Sequence, residues 1–177
     1  MDMTEKTVKK NYVYQGKILN LRCDDALLPD GRPCKREIVE HSGGACVLYV
    51  KDGKVLLVKQ FRYAYGESIY EIPAGKLEKG EDSALAAARE LEEEAGVKAE
   101  TLTQVFTVYP TPGYTNEKIY VYYAEQGETT AQRLDDGEFL TAEFVPLDKV
   151  KQMVYSGEIS DGKTLAALLW YFSKDQA

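Results

Sequence analysis

SALAAARELEEEAG, running from Ser83 to Gly96, is the stretch whose reading decides the fold. Asp82 or Ser83 supplies a helix cap and Gly96 follows the far end, so the segment predicts a helix of about a dozen residues. At about 100° per residue, Ala84, Ala88, Leu91 and Ala95 share one face. Glu90, Glu93 and Glu94 share another, spaced i, i+3 and i+4. Like charges so placed cost roughly a few tenths of a kcal/mol per pair, and acid in the last turn also meets the negative end of the helix dipole. Local stability would select lysine there. A helix that is otherwise well capped and patterned, yet carries acid at the wrong end, points to a compensating cation; a solvated acidic face is the plain alternative. Oxygen-only ligands suit Mg²⁺ or Mn²⁺ and not zinc. Arg89 is either an ordinary surface cation or the group that orients one carboxylate, and spacing alone does not decide.

Outward from this helix the chain alternates strands and helices. Before it, ACVLYV and KVLLVKQF flank Lys51, Asp52 and Gly53, two buried-strand patterns around a hairpin signal. Earlier still, the extended runs between Tyr12 and Glu40 break at Pro29, Asp30, Gly31 and Pro33, predicting a small antiparallel β arm. After the helix, LTQVFTVYP and KIYVYYAEQ read as strands around a Pro-Gly loop, and LTAEFVPL as another. Pro112 and Gly113 favour type II turn geometry. Two helices close the chain, near Leu147 to Tyr155 and Lys163 to Ser173, the second with Leu165, Leu168, Leu169 and Phe172 on one face. The order predicts an α/β fold: a mixed β-sheet covered by helices, with an N-terminal antiparallel arm over 1–42 and a main domain over 43–177.

Composition bounds the function. With 177 residues, one domain plus an arm is expected. The 29 acidic against 22 basic residues give −7, which disfavours nucleic acid and anionic membrane as partners. No segment approaches a membrane span or the apolar core of a signal peptide, so a cytoplasmic protein is expected. Cys23, Cys34 and Cys46 match no zinc spacing and read as reduced thiols. A single histidine, His41, excludes a multi-histidine metal site within one chain and offers no nucleophile elbow. His41 reads as structural, and Trp170 as core or dimer contact. Tyr114 and the tyrosines of KIYVYYA read as packing.

Gly75, five residues, Glu81, seven residues, then Arg89, Glu90, Leu91, Glu92, Glu93, Glu94, Ala95, Gly96 and Val97 reproduce the Nudix box at all nine specified positions. The chain resembles the Nudix hydrolases. The stretch KQFRYAYGESIYEIPAG, the sequence YPTPGYTNE with Pro112 fifteen residues past Val97, the acidic loop LDDGEF and the helix after ISDGKT are similar to the ADP-ribose pyrophosphatase branch. The resemblance implies an α/β/α sandwich and a homodimer that exchanges its N-terminal arm. It also implies metal-dependent hydrolysis of ADP-ribose to AMP and ribose 5-phosphate, with Mg²⁺, or Mn²⁺ as its substitute.

By the same resemblance the Ala74 carbonyl, Glu90 and Glu94 hold divalent ions and Glu93 assists, directly or through water. Arg89 pairs with and aims Glu93, Glu81 supports the box loop, and Gly75 lies on the substrate side. Glu138 matches a metal-binding glutamate. Asp136 stands where the branch often has a glutamate proposed as general base; aspartate is one methylene shorter, so the base is Asp136 or Glu138. Arg62 and Thr111 match positions near the phosphates and terminal ribose, and Arg36 a group that reaches the neighbouring subunit's substrate. Read without the resemblance, Arg36 pairs with Glu37 or Glu40 across a hairpin and Arg62 is a surface cation. Two competing functions stand beside this: hydrolysis of another nucleoside diphosphate sugar such as a GDP-hexose, and a non-catalytic ligand sensor. The intact set of box glutamates argues against the sensor.

Overall fold

The computed structural model describes residues 2–174. Two units are distinguished by their internal contacts, one formed by residues up to Gly43 with Tyr109–Lys118, the other by Gly44–Val108 with the residues from Ile119 on. In the first, β1 (Lys6–Lys9), β2 (Tyr12–Gln15), β3 (Leu19–Leu27) and β4 (Pro33–His41) make an antiparallel sheet in which β1, β2 and β4 all pair with β3. The sheet therefore adds one strand, β1, ahead of the extended runs expected from Tyr12 to Glu40. β1, KTVK, is fully exposed and carries no apolar alternation, which is why its sequence gave no strand signal. From Arg22 on, every second residue of β3 is buried, and two of these, Arg22 and Asp24, are charged and lie 3.0 Å apart as an ion pair that also takes in Glu40.

In the second unit, period-two alternation builds a core on each side of a sheet. β5 (Gly44–Lys51) and β6 (Lys54–Arg62) turn on Asp52 and Gly53, both at positive φ as a two-residue hairpin requires. With β7 (Glu67–Glu71), β8 (Ala74–Lys76), β10 (Thr103–Val108), β11 (Ile119–Ala124) and β13 (Leu140–Pro146) they form a seven-stranded mixed sheet, β11 parallel to β5 and the other pairs antiparallel. β9 (Val97–Ala99) and β12 (Gly127–Thr129) make a separate ribbon. Ala45, Val47, Tyr49 and Leu56 pack with Ala86, Ala87 and Leu91 of α1 (Ser83–Ala95). Cys46, Leu48, Val50, Val55 and Leu57 pack on the other side with α2 (Leu147–Ser156) and α3 (Gly162–Lys174). The result is the expected helix, sheet and helix sandwich. Burying a side chain such as Leu91 contributes about 1.5–3 kcal/mol.

Three expectations are corrected in detail. The buried face of α1 carries Ala86, Ala87, Glu90, Leu91 and Glu94, while Ala84, Ala88 and Ala95 lie at its margins. Two of the carboxylates thus point inward, because the short strand β8 before the helix brings Ala74 and Gly75 against them. In α3 Leu168 and Phe172 are buried, but Leu169 is half exposed and Thr164 and Ala167 fill the face instead. Around Pro112 and Gly113 the N–H groups of Tyr114 and Thr115 both donate to the Thr111 carbonyl, and Gly113 keeps a negative φ. That is a helical turn and not type II, which needs positive φ at its third residue.

All three cysteines are free, His41 accepts the Gly43 N–H, and Trp170, partly buried, packs edge-on with Phe106 against the core. Among the described residues no helix is long and apolar enough to cross a membrane.

Candidate active site

α1 is built to hold its acids in place. Asp82 caps it, accepting from the N–H groups of Ala84 at 2.9 Å and Leu85 at 3.2 Å, and Gly96 ends it at φ 62°. A side chain at Gly96 would also strike the Thr130 carbonyl. Such caps contribute about 1 kcal/mol and fix where the last turn stops, hence where Glu90, Glu93 and Glu94 project.

Arg89 is the organiser of the exposed side of this cluster. Its guanidinium donates to Glu81 at 3.1 Å, Glu90 at 2.8 Å and Glu93 at 3.0 Å, and reaches the Lys76 carbonyl at 3.4 Å. The resemblance implied that Arg89 aims Glu93; the structure adds Glu81 and Glu90 to the same guanidinium. The hydrogen bonds it donates to Glu81, then the charge of Glu90 and the hydrogen bonds to Glu93 and Glu90, raise the Arg89 pKa against the effect of burial, so it is a permanent cation.

Glu90 and Glu94 sit deeper. Glu90 lies over Gly75 so closely that a Cβ added there would come within 1.9 Å of its carboxylate, which explains the glycine by close approach. Glu94, at 3% exposure, accepts the Ala74 N–H at 2.8 Å. Burial raises the pKa of both. For Glu90 the Arg89 charge opposes the shift, while Glu93 and Glu138 add to it. For Glu94 the Ala74 N–H opposes it and Glu90, Glu138 and Glu71 add to it, leaving it at about 8.

Buried carboxylates whose charge is unfavourable, beside the Ala74–Gly75 backbone, are a donor set that fits a divalent cation with oxygen ligands. Among the described residues no three His, Cys, Asp or Glu side chains form a closed metal cluster. A cation that keeps water and shares phosphate oxygens needs no such cage.

Glu138 stands in the loop before β13 and is exposed, its carboxylate accepting the Asp135 N–H at 3.3 Å; its charge acts on Glu90 and Glu94. Asp136 is exposed in the same loop. Arg62 is not a free surface cation. Its Nε and one terminal nitrogen grip the fully buried Glu71 at 2.5 and 2.7 Å, leaving the other terminal nitrogen without a protein partner among the hydrogen bonds of the described residues.

Arg36 and Thr111 belong to the first unit. Arg36 pairs with Glu5 at 2.8 Å, and not with Glu37 or Glu40, because Glu40 is taken by Arg22. Thr111 is exposed and anchors the turn that follows it.

Sequence reasoning missed Glu71 and Lys163, which pairs with it, and beside them Asp161 and Thr164. One signal was available: Glu71 is a lone acid within the apolar run IYEIPAG, and a carboxylate in a buried strand must be paired.

A sandwiched sheet, an arginine-clamped row of glutamates at the end of α1, and a glycine beneath one of them define a Nudix-type site. The chain belongs to the Nudix family: residues 39–168 match the NUDIX domain and residues 5–39 match the nucleoside diphosphate sugar hydrolase N-terminal domain. It is 42% identical to the ADP-ribose pyrophosphatase of Bacillus subtilis (strain 168), over 98% of this chain and 95% of that protein. Identity to the methanol dehydrogenase activator of Bacillus methanolicus is 39%, covering 93% and 90%. To the GDP-mannose pyrophosphatase of Salmonella paratyphi B it is 32%, covering 76% and 75%. Among solved structures, an ADP compounds hydrolase superposes with a TM-score of 0.84 over 100% of this chain and 98% of that one; at 18% identity this likeness concerns the fold.

Proposed function

We propose that the protein hydrolyses ADP-ribose to AMP and ribose 5-phosphate with Mg²⁺, for which Mn²⁺ substitutes. The observation that carries this reading is the pair of buried glutamates, Glu90 and Glu94, set against the Ala74–Gly75 backbone; the likeness to ADP-ribose pyrophosphatases along nearly the whole chain supports the substrate. Glu90, Glu94 and the Ala74 carbonyl hold the cation, with Glu93 and Glu138 assisting. When bound, a divalent ion neutralises phosphate charge and acidifies the attacking water. Arg89 orients Glu90 and Glu93, and its charge opposes the effect of burial on Glu90. Glu138 or Asp136 accepts the proton of the attacking water. Arg62 turns its free terminal nitrogen to the diphosphate, Gly75 lies on the substrate side of the box, and Thr111 and, from the partner subunit of a dimer, Arg36 bind the rest of the nucleotide sugar.

The N-terminal arm, 1–42, is proposed to be exchanged between two copies, with 43–177 as the hydrolase domain. Support comes from the apolar side chains its sheet leaves exposed: Val8, Tyr12, Val13, Tyr14 and Ile18. A cytoplasmic location accords with the free thiols. Rates measured across ADP-ribose, GDP-mannose and other nucleoside diphosphate sugars test the substrate. ADP-ribose is expected to give the highest kcat/KM, and a preference of about tenfold or more for a GDP-sugar would overturn the assignment.

A further inference from the structure

Away from the glutamates, one buried polar network reaches the same backbone from behind. Asp161 starts α3: its carbonyl accepts the Leu165 N–H at 2.9 Å, and its carboxylate accepts from the Thr164 N–H at 2.9 Å, the Thr164 hydroxyl at 2.6 Å and the Lys163 ammonium at 3.0 Å. Lys163 also pairs with Glu71, whose carboxylate is gripped from the other side by Arg62. Thr164, fully buried, accepts the Ile72 N–H at 2.9 Å. Glu71 and Ile72 are thus both tied to the first turn of α3.

Two residues beyond Ile72 is Ala74, whose N–H goes to Glu94. Between them stands Pro73, whose ring fixes its φ and whose carbonyl accepts the Val47 N–H at 2.9 Å. The proline ring leaves only limited freedom between Ile72 and Ala74. Two charges of each sign, Glu71 and Asp161 against Arg62 and Lys163, make the network self-neutralising. The four ionisable groups balance one another there, although the charge of Glu71 still reaches Glu94.

We propose that Thr164 is a positioning residue for the cation site: braced by Asp161 and beside the Lys163–Glu71 pair, it fixes Ile72 and through Pro73 sets Ala74 against Glu94. The proposal rests on the reading of Glu90, Glu94 and Ala74 as ligands, and it concerns affinity for the ion, not recognition of the sugar. Its hydroxyl is the feature that matters, since valine has the same shape without an acceptor for the Ile72 N–H.

The test uses the full chain and the metal alone. Mn²⁺ is titrated in without substrate and the free ion followed by electron paramagnetic resonance; thermal melts are taken on the same samples. Thr164→Val is expected to weaken Mn²⁺ binding about tenfold and lower kcat while KM for ADP-ribose stays within about twofold, and Thr164→Ser to restore both. Asp161→Asn keeps an oxygen at the cap and is read in parallel in case Thr164→Val folds poorly; it should weaken Mn²⁺ binding about threefold. A lower Tm with wild-type Mn²⁺ affinity in the variants that fold would overturn the proposal. Failure of the substrate assignment shows separately, as a wild-type protein that binds Mn²⁺ and leaves ADP-ribose intact.

Discussion

Glu94 concentrates the site's chemistry in one residue. Burial holds its pKa near 8 in the cation-free protein, against about 4.3 for a free glutamate. Between those values the folded state binds more protons than the unfolded one, so this contribution to stability is full below about pH 4.3 and is lost as pH rises through about 8. Melts in chelator should therefore show Tm falling across that window, with the fall reduced in Glu94→Gln. An unchanged slope in the variant would assign it to other groups. Adding a divalent ion should reverse the trend, because the ion takes the deprotonated carboxylate and its apparent affinity rises with pH. The same substitution keeps the shape of the side chain while removing its charge, so Glu94→Gln should lose at least about a hundredfold in kcat and keep its fold by circular dichroism. Near-normal turnover would remove Glu94 from the site.

Elements decide which acids matter, and here the sequence was only partly legible. The helix over Ser83–Ala95, its cap region and its terminating glycine followed from capping and periodicity, which are local. That Glu90 and Glu94 are buried did not follow, because their partners Gly75 and Ala74 come from β8, a three-residue strand with no pattern of its own. Nor did the inward ion pairs of Glu71, one with Arg62 on the neighbouring strand and one with Lys163, which is far away in the chain. Gly75→Ala tests this contact between β8 and α1. Its Cβ has no room beside the Glu90 carboxylate, so Glu90 must move; divalent-ion affinity should fall about tenfold or more while Leu91 keeps α1 docked and Tm drops by only a few degrees. Metal affinity equal to wild type, measured by calorimetry, would contradict the close approach.

At the scale of the whole molecule, the excess of acid has an internal order. Part of the net charge of −7 is gathered in a face made for cations, so it is a poor guide to how an anionic substrate is received. The arm extends the argument to assembly. Its exposed Val13 and Tyr14 belong to a short strand with little core of its own, and a second copy is the proposed cover. Val13→Asp should shift the protein from dimer to monomer in light scattering and, if the arm completes the neighbour's site through Arg36, raise KM for ADP-ribose. A wild-type monomer at micromolar concentration would refute the exchange.

Hydrolysis itself remains the direct test. The protein is incubated with ADP-ribose in ¹⁸O-labelled water, with Mg²⁺ or with chelator, and the products are identified by mass. The account predicts AMP and ribose 5-phosphate in equal amounts, the label on one of them, and no reaction in chelator. ADP-ribose that binds in excess Mg²⁺ and is recovered intact would contradict it.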